Sequence, residues 1–242
     1  MKLVKLDAID STNDYLKDLV RTMNAENYTV VTAEHQTKGK GQRGSTWASE
    51  KGKNLIMSML VRDFINSGTA MFDLNIVVSL AVLQALDSLD IPKLSIKWPN
   101  DIMSDDKKIG GILIENSFKS DNTVDSIVGI GLNVNQLNFE NLTQASSLAV
   151  ITGSSFDKEH ILEKIANAIQ DYLKSWPNNG QQLQNTYTNL LFKKEELMVF
   201  QASDDSFFNG TIKGITTGGR LVIENDKGTR LDFDIKEVKM IF

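Results

Sequence analysis

Ala33-Glu-His-Gln-Thr-Lys-Gly-Lys-Gly-Gln-Arg-Gly-Ser-Thr-Trp-Ala-Ser-Glu-Lys-Gly-Lys-Asn54 follows an apolar run, Tyr28 to Val31, that reads as a strand. It intersperses Gly39, Gly41, Gly44 and Gly52 with Lys38, Lys40, Arg43, Lys51 and Lys53, and has no apolar period between Thr37 and Thr46. Such a segment cannot pack into a core. Glycine permits φ > 0 and close approach of the main chain, so the loop can bring bare N–H groups and cationic heads to an anion. A solvated surface loop has the same composition. Gly39, Gly41 and Gly44 also match G-x-G-x-x-G. That fingerprint requires a helix opening at the third glycine and an acid about 20 residues on. Ser45 to Ser49 followed by Lys51-Gly52-Lys53 is no helix start, and although the next strand ends in Arg62-Asp63 no helix separates it from the loop, as the βαβ unit requires. The G-K-[S/T] ending of a phosphate-binding P-loop is missing too, so both nucleotide folds are set aside.

Working outward, 242 residues with 41% apolar content suit one large domain and one small one. A net charge of −5 argues against non-specific nucleic-acid affinity, and the basic loop stands out against it. No apolar run approaches the roughly 20 residues of a membrane span, and Met1 to Asp7 lacks a signal-peptide core. A cytoplasmic protein that binds neither membrane nor DNA is expected. With no cysteine and only His35 and His160, disulfides, thiol nucleophiles and a histidine-rich metal site are excluded.

Lys2 to Leu6 alternates as a strand. Asp10-Ser11-Thr12-Asn13 supplies N-cap residue types for a helix whose Tyr15, Leu16, Leu19, Val20 and Met23 share one face. Capping explains one of those polar residues; a small polar ligand could use the others. Leu55 to Val61 reads as a strand buried on both faces, Met71 to Leu89 as a core helix, and Ser95 to Asp101 as a short strand running into a Pro99-Asn100-Asp101 turn. Lys97 and Asp101 across that turn could form a plain surface ion pair. Lys107 to Glu115 and Ile127 to Asn135 are apolar strands interrupted by Gly110-Gly111 and by Gly129 and Gly131. Glycines weaken a strand unless another backbone or a ligand must come close, so a flat ligand across both strands and a β-bulge are equal readings. Two helices, Phe156 to Trp176 and Gln181 to Phe192, precede short strands from Glu196 to Phe242 that suggest a small β-barrel.

In order, Ser11-Thr12-Asn13, the Gln36-to-Trp47 loop, Lys97-Trp98-Pro99-Asn100-Asp101, Lys108 to Glu115 and Gly129 to Asn135 resemble the successive signatures of biotin protein ligases. The resemblance implies an α+β fold: a mixed-sheet catalytic domain of the class II synthetase-like biotin/lipoate ligase type at 1–192, and an SH3-like C-terminal barrel at 193–242. It implies activation of biotin with MgATP to biotinyl-5′-adenylate, then transfer to one lysine of a carboxylase's biotin carboxyl carrier protein. Lys108 matches the catalytic lysine, with Arg43 and Asp101 beside it. Ser11, Thr12, Asn13, Gln36, Gly39, Lys40, Gly41, Lys108 and Gly111 match biotin-binding positions. Lys40, Gln42, Arg43, Trp47, Lys97, Asn100, Gly131 and Asn133 match nucleotide-binding positions.

In that assignment the amides of Gly39 and Gly41, with Lys40 and Arg43, offset the repulsion between carboxylate and phosphate. No dedicated metal site is implied beyond Mg²⁺ arriving with ATP near Asp101. Gln42 departs from the arginine that some members carry, so either Arg43 or a nearby lysine takes over the phosphate charge or the adenylate is held less tightly. Dual-function members carry a helix-turn-helix domain before the Ser-Thr-Asn motif; here only ten residues precede Ser11, and no operator binding is expected. Monomer and homodimer both remain open. A lipoate ligase, which has no use for the polar cluster, and a non-catalytic biotin sensor are the competing functions.

Overall fold

The computed structural model describes residues 1–65, 71–120, 123–140 and 142–241, with Arg43 described by its backbone alone. A seven-stranded sheet runs in the order β1 (Leu3–Ile9), β2 (Val30–Gln36), β3 (Leu55–Arg62), β7 (Val124–Leu132), β6 (Lys107–Phe118), β5 (Asp101–Ser104), β4 (Leu94–Lys97). β1 and β2 pair in parallel and the remaining neighbours are antiparallel. This is the mixed sheet expected.

Because side chains alternate along a strand, the two faces carry different sequences. Met57, Met59 and Val61 of β3, Val128, Ile130 and Leu132 of β7, and Ile112 of β6 join one large core. That core is completed by the helices α2 (Met71–Asp87) and α4 (Lys158–Asn189). The opposite face is assembled in cross-strand rows, since residues directly paired in an antiparallel ladder point the same way. One row is Lys97, Asp101, Gly111, Gly131 and Ile56; the next is Leu113, Gly129 and Ser58; the third is Glu115, Ile127 and Leu60. Helix α1 (Thr12–Met23) covers the third row through Leu16, which packs with Val31, Leu60 and Ile127.

The register slips between Ile102 and Met103, leaving Ile109 as the extra residue of β6. A bulge reverses the alternation beyond it. Ile109 therefore enters the main core, while Lys108 moves to the same face as Gly111: a Cβ built on Gly111 would lie 3.7 Å from Lys108 Nζ.

Several elements depart from the pattern read along the chain. The two C-terminal helices are one, with Pro177 inside α4. The lost hydrogen bond is tolerated because Leu173, Leu183 and Tyr187, on either side of the proline, enter the same core. Asp101 opens a strand rather than ending a turn, and a short helix α3 (Leu148–Thr152) carried no periodic signal. The C-terminal strands form a five-stranded sheet in the order β11 (Arg230–Phe233), β10 (Leu221–Asn225), β9 (Phe207–Ile215), β8 (Leu197–Ala202), β12 (Val238–Ile241). All its pairings are antiparallel, consistent with an SH3-like unit, but the two end strands do not pair and the sheet is not a closed barrel.

Leu16 is fully buried at the centre of the small cluster under α1. Leu16→Ala is expected to lower stability by about 2–5 kcal/mol in urea unfolding; a loss below about 1 kcal/mol would show that α1 is not anchored there.

Candidate active site

The N-terminus of α1, the loop after β2 and the glycine-bearing rows of the sheet enclose a cavity of about 260 Å³. Ser11, Thr12, Asn13 and Gln36 form one wall; Gly111, Gly129 and Gly131 form the floor; Asn100, Asp101 and Lys108 close the far end. A second cavity, of about 780 Å³, shares part of its lining with the first and is lined further by Lys97, Asn133, Gln136 and Phe139 and by residues of 142–145. Thr46, Trp47, Asp101 and Lys108 line both. The larger volume lies well within the range of small-molecule sites, and the smaller just below it.

Trp47 is the partition. A Cβ on Gly131 would stand 2.5 Å from its ring atom Cε2, so the indole packs directly on bare main chain. Gly111 lies beneath the same ring, with 3.5 Å from a built Cβ to Cζ3. The glycines, for which clearance for a flat ligand was one of two equal readings, thus first clear the protein's own indole, and Gly129 clears Asn13, whose Oδ1 a Cβ would approach to 2.5 Å. The Trp47 Nε1 is buried without a hydrogen-bond partner, and Lys108 Nζ sits 5.9 Å from the ring centroid.

Lys108 is fixed through its backbone, its N–H donating to Gln144 O (2.7 Å) and its carbonyl accepting from Ser146 N (2.9 Å). Its ammonium lies 2.6 Å from Asp101 Oδ1. Lys97, in register with Asp101, has its ammonium held below the ordinary lysine range, by burial first; the positive charges of Lys108 and Lys239 add to this and Asp101 opposes it. Protonating Lys97 costs more here than in water, so an anion entering between these lysines is favoured.

The polar wall is tightly connected. Ser11 caps α1, accepting from Asp14 N, and still has its own proton to donate. Gln36 Oε1 accepts from Thr12 N at 2.7 Å. The Asn13 amide is engaged on both sides, accepting from Ser58 Oγ (2.6 Å) and donating to Glu115 Oε2 (2.7 Å). Asn13 therefore shapes the wall more than it offers free valences. Asn100 Nδ2 is likewise spent on Ile112 O (2.7 Å), and Asn133 Nδ2 on Ser146 O (2.9 Å).

The glycine loop requires correction. Gly41 N–H donates to Ser45 O at 2.7 Å, and Gly39 O accepts from Trp47 N, so the loop closes on itself as a small hairpin with a 3₁₀ turn at Gln42–Gly44. Gly39 is needed because a Cβ would meet Trp47 O at 2.3 Å, and Gly44 because its φ is +86°. The Gly41 amide is thus not bare, and Gly39 is not among the residues lining either cavity. Lys40 lines the first cavity with its ammonium 2.6 Å from Asp14, a hydrogen bond that raises its pKa. Gln42 also lines that cavity, while the Arg43 side chain lies outside the described residues. Ser58 and Glu115 were not singled out from the sequence. Ser58 had a signal, being the lone polar residue of Leu55 to Val61. The segment 136–145 had none.

An acyl-sized cavity and a larger one meeting at a lysine, on a mixed sheet of this order, define a ligase-type catalytic domain. The model of the Biotin/lipoate A/B protein ligase family matches residues 6–133, and the chain belongs to that family. The chain is 29% identical over 236 residues to a bifunctional ligase/repressor of Bacillus spizizenii, covering 94% of this chain and 71% of that protein. It is 25% identical over 230 residues to the biotin--[acetyl-CoA-carboxylase] ligase of Paracoccus denitrificans, covering 92% and 94% of the two chains. The biotin protein ligase of Aquifex aeolicus, solved in complex with biotin and ATP, superposes with a TM-score of 0.80 at 28% identity, over 99% of this chain and 98% of that one. The resemblance drawn from the five ordered motifs is borne out.

Gly131→Ala is expected to lift Trp47 from the sheet, lowering stability by about 1–3 kcal/mol and shifting one resonance in the ¹⁹F spectrum of the fluorotryptophan-labelled protein. An unchanged spectrum and unfolding midpoint would show that the indole does not rest on this glycine.

Proposed function

We infer that the chain is an ATP-dependent ligase that activates biotin to biotinyl-5′-AMP and transfers the biotinyl group to a specific lysine of a biotin carboxyl carrier protein. The observation that carries this is the meeting of two cavities at Lys108. Residues 1–192 would be the catalytic domain and 193–242 the C-terminal one, and we assign the protein to the cytoplasm, where ATP and the carrier protein are found.

In this reading biotin occupies the smaller cavity. A ureido ring needs neutral donors and acceptors, which Ser11, Thr12 and Gln36 supply; a lipoyl chain would set an apolar surface against that polar wall. The valerate carboxylate then extends toward Lys108, while ATP fills the larger cavity with its α-phosphate at the same lysine. Two anions brought together repel, and the Lys108 ammonium offsets that repulsion most where charge accumulates on the reacting oxygens. Arg43, with Gln42 neutral beside it, is assigned to the phosphates by charge alone.

Among the described residues no three His, Asp or Glu side chains gather as a metal site. Mg²⁺ commonly binds through substrate phosphates and only one or two carboxylates, and Asp101 fits as that carboxylate. The ion would supply charge neutralisation on the triphosphate.

The deciding assay offers labelled biotin or labelled lipoate to a purified carrier domain, with pyrophosphate release measured in parallel. Biotin alone should be transferred, and Lys108→Ala should slow biotin-dependent pyrophosphate release about a hundredfold to a thousandfold. Transfer of lipoate instead, or an undiminished rate in the variant, would overturn the reading.

A further inference from the structure

We propose that the cleft between the β4–β5 turn and the free edge of β12 is the docking site for the acceptor: an extended segment of the carrier protein, with its target lysine among apolar and acidic residues. The proposal rests on the ligase reading and says where the third reactant enters.

The cleft is a third cavity, of about 620 Å³, lined on one side by Lys97, Trp98, Pro99 and Asp101 and on the other by Ile235 and β12. Asp101 is the one described residue that lines all three cavities. With the biotinyl group in the first and the nucleotide in the second, the acyl carbon lies where those two meet, beside Asp101 and Lys108. The third cavity opens at the same aspartate, so an amine that comes through it reaches that carbon without displacing either ligand. Asp101 is also the only acid among the described residues lining the cleft, and an arriving lysine ammonium finds its counter-charge there, next to the reaction.

Two features select an extended polypeptide. Val238, Lys239, Met240 and Ile241 all line the cleft. Successive side chains of a strand point to opposite faces, so a cavity touched by four in a row runs along the strand's edge. That edge is open: β12 ends its sheet and, among the described strands, pairs with β8 alone. An extended segment can add to it through main-chain hydrogen bonds. The rest of the wall includes Trp98, Ile235 and Met240, apolar surface that a polyphosphate cannot use and that apolar side chains flanking the lysine can. Lys97 and Lys239 complement acidic residues in the same segment.

Ile235→Glu sets a carboxylate in the cleft at a half-buried position that holds neither biotin nor ATP. Four readouts are compared with wild type: the KM for a purified carrier domain, the ATP KM, biotin-dependent pyrophosphate release, and trapping of the enzyme-bound adenylate by hydroxylamine. Hydroxylamine takes the acyl group as its hydroxamate and releases AMP, and it is too small to need a docking site. The carrier KM should rise about tenfold or more, with the other three within about twofold of wild type. An unchanged carrier KM overturns the proposal. So does a matching rise in the ATP KM, which would give the cleft to the phosphates, or equal slowing with hydroxylamine, which would show damage at the reacting centre. Where Ile235→Glu does not fold, Ile241→Glu, at an exposed position of β12, carries the same comparison with the same expected outcome. Failure of the wild-type chain to release pyrophosphate on addition of biotin would instead overturn the ligase reading, and is recognised because it needs neither variant nor carrier.

Discussion

The Trp47 indole against the bare main chain of Gly131 and Gly111 is the contact from which the site's geometry follows. It divides one trough into two compartments and leaves Lys108 reachable from both. The floor beneath it must be glycine, and glycine inside a strand costs about 0.5–1 kcal/mol at each position. Val128, Ile130 and Leu132 of the same strand bury their side chains on the opposite face, each worth about 1.5–3 kcal/mol. The helical side of the sheet thus stabilises the strand, so its other side can be shaped for ligands.

Charge around the trough follows a similar logic. The ammonium groups of Lys108, Lys40 and Lys17 each lie against a carboxylate, of Asp101, Asp14 and Glu115 respectively. The Lys108 and Asp101 side chains are 37% and 20% exposed, and ion pairs open to water contribute about 1 kcal/mol or less. Exchanging one carboxylate partner for a phosphate or a reacting carboxylate therefore costs little. A deeply buried pair would have resisted it.

Much of this was legible in the sequence, and the remainder was hidden for identifiable reasons. The order of the polar motifs pointed to the family, and Ser11, Thr12, Gln36, Asp101 and Lys108 do line one cavity. The bulge at Ile109 was not legible in detail, because its position depends on pairing with β5, a strand that was not recognised beyond the turn assigned to Pro99-Asn100-Asp101. Alternation alone would have sent Lys108 into the helical core. The break expected between Trp176 and Gln181 did not occur: the chain stays helical through Pro177 because tertiary burial of Leu183 and Tyr187 outweighs the local preference. The Gly41 amide, read as an anion donor, is consumed within its own loop, since a short hairpin satisfies its main chain internally wherever it can.

The second sheet bears on the same chemistry through the turn between β4 and β5. Trp98 Nε1 donates to Gly219 O at 2.9 Å, and Phe72 lies so close to Gly219 that a Cβ there would meet Phe72 Cγ at 2.1 Å. Gly219 adopts φ +83°, so both its backbone angle and its contacts require glycine. The turn that carries Lys97 and Asp101 into the trough is thereby fastened to the β9–β10 connection rather than to the catalytic sheet alone. Lys239 of β12 also comes within electrostatic reach of this turn, its positive charge repelling the Lys97 ammonium. The same turn is also tied to the strand that carries Lys108, since Asp101 pairs with Gly111 and Met103 with Lys108, and Lys108 makes two further backbone hydrogen bonds with Gln144 and Ser146. Lys108 and Asp101 are thus held at their 2.6 Å approach by the β5–β6 ladder, with the C-terminal sheet bracing the turn before Asp101 and Gln144 and Ser146 bracing Lys108.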